Sequence, residues 1–115
     1  MFRLHNATRK SLLACRLAKA ESFWSRLMGL MGKKRFPSGY DALLFEQCNS
    51  IHCFFMFMAI DVIFIDKKGK AVKCISALKP WRLAWGGWKS YSVIELPAGT
   101  LEKTNTRPGD RLEFL

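Results

Sequence analysis

The sequence predicts a mainly-β α+β domain: a compact, small barrel-like sheet of about six strands with one early α-helix. Three observations carry this. Apolar runs of five to nine residues, several alternating in period two, recur between turn formers along most of the chain. Only one segment switches to helical spacing. At 115 residues, half of them apolar, the chain holds one core, so residues 1–115 form a single domain.

The elements follow in order. "FRLHN" and "SLLACRLAKA" flank the polar turn "NATRK", where Asn6 and Thr8 suit a hairpin. "ESFWSRLMGLMGKK" (21–34) is the helix: Phe23, Leu27, Leu30 and Met31 share a stripe, Ser22 suits the N-cap and Gly32 the C-terminus. After the "RFPSGYD" turn, "ALLFEQC" (42–48) reads as a strand. "DVIFID" and "AVKCISAL" around "KKGK" form the clearest hairpin. "KPWRLAWGGWK" reads as an irregular aromatic loop, "SYSVIELPAG" (90–99) as a strand, and "RLEFL" as the last strand after the "RPGD" turn.

Charge is lopsided, with 19 Lys and Arg against 9 Asp and Glu, a net of +10. Such a field attracts nucleic acid, anionic lipid or acidic partners without choosing among them. Lys10 and Arg16 bracket only "SLLAC", too short for a signal core, and Asp61 interrupts the longest apolar run, so no segment reads as a leader or a spanning helix. A cytoplasmic protein is the expectation. Four cysteines at irregular spacing, without CxxC, read as free thiols rather than disulfides. No Rossmann glycine pattern, P-loop, GxSxG or HExxH occurs.

The order of motifs resembles one known family. "ESFWSRLMGLMGK", "ALLFEQCNSIHCFFMFMAIDVIFIDKKGKAV", "LKPWR" and "VIELPAGTLEKTNTRPGD" together resemble domain of unknown function 192, over nearly the whole chain. The chain departs from the family pattern at Cys53, where Thr is usual, and at Ala59, where Pro is usual. The resemblance implies a compact β-rich fold with a helix and implies no activity.

"SIHCFFMFMAIDVIFID" (50–66) sets two polar residues, His52 and Asp61, inside an apolar run. Four readings stand. Both residues are structural latches bonded to backbone; or they line a small pocket walled by Phe54, Met56 and Met58. Alternatively Cys53, His52 and Asp61 form a thiol or hydrolase-type relay; or Cys48, His52, Cys53 and Cys74 hold zinc. Trp81, Trp85 and Trp88, interleaved with Lys79, Arg82 and Lys89, mark a partner-binding loop if exposed, or a cover over the barrel end. Glu95 and Asp110 have no carboxylate partner for acid–base work.

The expected function is a small binding or interaction domain, with His52, Asp61, Met56, Trp81, Trp85 and Trp88 as ligand contacts. No cofactor, metal or catalytic residue is assigned. A small molecule or a protein is the expected partner. The alternatives are the Cys53–His52–Asp61 enzyme and nonspecific nucleic-acid binding through the basic surface.

Overall fold

In the computed structural model, residues 2–20, 30, 32–52 and 56–115 are described. Most of the helix expected over 21–34, and Cys53 and Phe54, lie outside the described residues. The elements are β1 (Phe2–Asn6), β2 (Ser11–Lys19), β3 (Ala42–Glu46), β4 (Ser50–His52), β5 (Ile60–Ile65), β6 (Ala71–Leu78), β7 (Leu83–Trp85), β8 (Ser92–Pro97), a short helix α1 (Thr100–Thr104) and β9 (Leu112–Phe114).

Seven strands form one curled sheet in the order β6-β5-β8-β3-β2-β1-β9, with β4 and β7 paired as a separate ribbon. Among the described strands only the β2–β3 pair is parallel. The expected hairpins are present: β1 with β2, and β5 with β6. In the first turn Asn6 accepts the Arg9 amide at 3.0 Å. In the second, Asp66 Oδ1 accepts the amides of Lys68 and Lys70, each at 2.9 Å, and Gly69 takes φ 86. A side chain on Gly69 would press on the Leu112 carbonyl at 2.9 Å, so this turn needs glycine for space as well as for φ.

The sheet curls until its two edges meet at one corner. Lys70 bridges to Arg111, the Ala71 amide donates to the Asp110 carbonyl at 2.8 Å, and the Leu112 amide donates to the Gly69 carbonyl at 2.9 Å. The sheet is therefore a half-barrel whose edge strands shield each other there, which protects open backbone groups from foreign pairing.

β5 and β8 are neighbouring interior strands of the sheet and are buried on both faces, which explains the nearly continuous apolar run in β5. Ile63, Ile65, Ile94 and Leu96 point into the concave core with Leu4, Leu17 and Leu112, and Leu101 of α1 joins them there. Val62, Phe64 and Val93 point the other way, into an outer core with Leu30, Leu43, Phe45, Met56 and Ala84. Each such side chain contributes about 1.5–3 kcal/mol on burial. The ribbon sits on the outer core.

Candidate functional site

The ribbon is built from "SIH" and "LAW", with Ser50 opposite Trp85, Ile51 opposite Ala84 and His52 opposite Leu83. Opposed residues share a face and neighbours alternate. Ile51 and Ala84 thus pack inward on the outer core, while Ser50, His52, Leu83 and Trp85 form the outward face. Gly86 fastens the ribbon down. A Cβ there would fall 2.3 Å from the Phe64 ring, so only a glycine backbone lies this close to the core aromatic. The Gly86 amide donates to the Asn49 carbonyl at 2.7 Å, and Lys73 Nζ donates to the Trp85 carbonyl at 2.8 Å.

The tryptophans are set around this face. Trp81 follows Pro80 and stands at φ 66, a left-handed conformation costly for a bulky side chain. Trp81 is 50% exposed, Leu83 72%, Trp85 47% and Trp88 89%. Trp85 and Trp88 meet edge to face with ring centroids 5.3 Å apart. A groove of about 510 Å³ is lined by Ser50, Ile51, His52, Leu83, Ala84 and Trp85. Ser50 also belongs to a second, polar cleft of about 450 Å³ with Gln47, Asn49, Ser90 and Tyr91. Gln47 Nε2 donates to the Tyr91 hydroxyl there at 3.1 Å, and the buried Ser90 hydroxyl has no hydrogen-bond partner among the described residues.

Of the six expected contact residues, His52 and Trp85 line the groove, and Trp81 and Trp88 belong to the same aromatic segment. Met56 and Asp61 are elsewhere. Met56 is 2% exposed within the outer core. Asp61 is fully buried and shares its side of β5 with Ile63 and Ile65, the face opposite the ribbon. Its Oδ1 accepts the Ala77 amide and its Oδ2 the Leu101 amide, both at 2.8 Å. It thereby ties a left-handed residue of β6 (Ala77, φ 51) and the start of α1 to β5. The sheet stands between His52 and Asp61, so the two do not meet as base and orienter.

The described cysteines are free, and they are also separated: Cys48 packs against the outer core and Cys74 against the concave one. Burial, helped by the charges of Asp110 and Asp61, pushes the Cys74 thiol up to about 11, away from thiolate chemistry. No metal-binding group of three His, Cys, Asp or Glu side chains occurs among the described residues. Glu95 pairs across the sheet with Leu43 and Val62 and is 3% exposed. Burial pushes its carboxyl up to about 8, and Oε1 has no hydrogen-bond partner among the described residues.

Comparison with known proteins settles the family. The model of domain of unknown function 192, described as "Uncharacterized ACR", matches residues 4–114. The chain belongs to this family. Among relatives of the DUF192 chain, a UPF0127 protein of Pyrococcus horikoshii is 38% identical over 97 residues, 83% of this chain and 84% of that one. A UPF0127 protein of Pyrococcus furiosus is 34% identical, covering 95% of each chain. The DUF192 fold also matches a crystal structure from Sinorhizobium meliloti, described as a candidate transcription regulator, with TM-score 0.81, 23% identity and coverage of 98% and 91%. A protein of unknown function from Novosphingobium aromaticivorans matches with TM-score 0.79, 14% identity and coverage of 97% and 82%. These two likenesses show the fold.

Sequence reasoning missed Ser50, Ile51, Leu83 and Ala84 as groove residues. The signal was available: Trp81, Leu83 and Trp85 recur at every second position of "WRLAW", the strand period.

Proposed function

We propose that this DUF192 protein is a small binding module whose contact surface is the outward face of the β4–β7 ribbon. One observation carries the reading: Leu83, Trp85 and Trp88 stand exposed together beside a groove that His52 lines, on a ribbon anchored to the core by Gly86. Large apolar side chains exposed on a firm support mark interaction sites, because their contact area is gained with little ordering cost. His52 supplies the groove with an imidazole donor or acceptor to orient what binds.

Anilinonaphthalene sulfonate, an apolar anion suited to a basic, aromatic groove, is a direct probe. Dye fluorescence should rise with the native protein, and amide shifts should centre on residues 50–52 and 83–88. Trp85→Ala should weaken the dye about tenfold, the loss of one aromatic contact of some 1.4 kcal/mol. Amide shifts confined to other surfaces would refute the assignment.

A further inference from the structure

The segment that carries the aromatic face has a charge pattern of its own. Between Asp66 and Glu95 there is no acidic residue, and seven Lys and Arg occur. Four of these surround the ribbon strand β7 in the chain: Lys79 and Arg82 precede it, Lys89 follows it, and Lys73 lies on β6. Lys73 is fixed against the ribbon by its bond to the Trp85 carbonyl. Exposed apolar side chains and unopposed cations thus occupy one short stretch of chain.

Resting on the ribbon being the contact surface, we propose that this face docks the protein onto anionic lipid bilayers. Tryptophan favours the bilayer interface, where its ring meets acyl chains and its indole N–H meets headgroups. Leu83, the most exposed aliphatic side chain of the segment, gains by entering the acyl boundary. The surrounding Lys and Arg side chains bury their stems over the aromatic rings and hold their charges at the lipid phosphates. Single-stranded nucleic acid shares the charge complementarity but fits the apolar geometry less well. Trp85 and Trp88 meet at an interplanar angle of 86°, which gives no run of parallel stacking planes, and Leu83 offers a base no ring.

The test is co-sedimentation of the full chain with vesicles of phosphatidylglycerol and phosphatidylcholine, against vesicles of phosphatidylcholine alone. Binding should be at least about tenfold tighter to the anionic vesicles and should weaken at about 0.5 M salt. Tryptophan emission should shift to the blue as the rings leave water. Two surface variants probe the two components separately: Leu83→Ser with Trp88→Ser, and Arg82→Glu with Lys89→Glu. Each should lower vesicle binding about tenfold while keeping the wild-type thermal transition. Absence of vesicle binding, or binding unchanged in both variants, overturns the inference. So does tight binding of a deoxythymidine oligomer that anionic vesicles fail to displace. If the dye still maps to residues 50–52 and 83–88 while vesicles do not bind, the lipid inference fails and the ribbon remains the contact surface.

Discussion

At the scale of single residues, one buried carboxylate organises three elements. Asp61 sits on β5, between β6 and β8 in the sheet, and its two oxygens are taken by backbone amides of β6 and α1. Asparagine has the same shape but one acceptor oxygen, so Asp61→Asn leaves one of those amides facing an N–H donor. The expected cost is about 1–3 kcal/mol, seen as a lower urea midpoint with an unchanged slope. An unchanged midpoint would mean that the amides of Ala77 and Leu101 find other acceptors. The sequence showed that Asp61 was unusual, because it broke an apolar run. It did not show which residues Asp61 meets, since its partners lie 16 and 40 residues further along the chain. Nor did it show that His52 stands on the other side of the sheet. Alternation assigns faces within one strand, and residues 53–59 intervene between β4 and β5.

At the scale of elements, strands with local partners were legible and those with distant partners were not. β1 with β2, and β5 with β6, are joined by polar turns whose residues announce them. β4 and β7 are three residues each, lie about 30 positions apart, and are obscured by the Pro and Gly on either side of β7. The five-residue α1 is too short to show a helical period; its N-cap is Gly99 at φ 96, without a side-chain cap to flag it. Gly86, just after β7, has a packing role against Phe64 that an irregular loop would not need. Gly86→Ala should therefore lift the ribbon rather than unfold the sheet. The overlap with a core ring costs about 1–3 kcal/mol locally, felt where β7 leaves the outer core. Hydrogen exchange should accelerate at the Gly86 amide, now held by the Asn49 carbonyl, while amides of β5 and β8 keep their protection. Equal acceleration in β5 would show that the ribbon and sheet open as one unit.

At the scale of the whole molecule, the buried acids divide by sign and together set how stability follows pH. Burial alone would push Asp110 up, but hydrogen bonds from the Asn6 side chain, the Arg107 amide and Arg9, with the Arg9 charge beside it, hold it below the usual carboxylate range. Burial would likewise push Asp66 up, but hydrogen bonds from the Lys70 and Lys68 amides, with the charges of the same two lysines, together hold it down. Stability from these two is present above the unfolded carboxylate value of about 3.9 and is lost as pH falls through their lower folded values. Glu95 works in the opposite direction. Its carboxyl, pushed up by burial to about 8, favours the folded state only while protonated. That contribution is complete below the unfolded glutamate value of about 4.3 and is lost as pH rises toward about 8. Between these limits the protein should be most stable at about pH 4–4.5, well on the acidic side of neutrality. Glu95→Gln removes the alkaline penalty while keeping the shape of the side chain. The variant should match the wild-type melting temperature near pH 4, exceed it progressively up to pH 8, and move the optimum toward neutral pH. Parallel curves for the two proteins from acid to alkaline pH would show that Glu95 ionises in the fold as readily as in the unfolded chain.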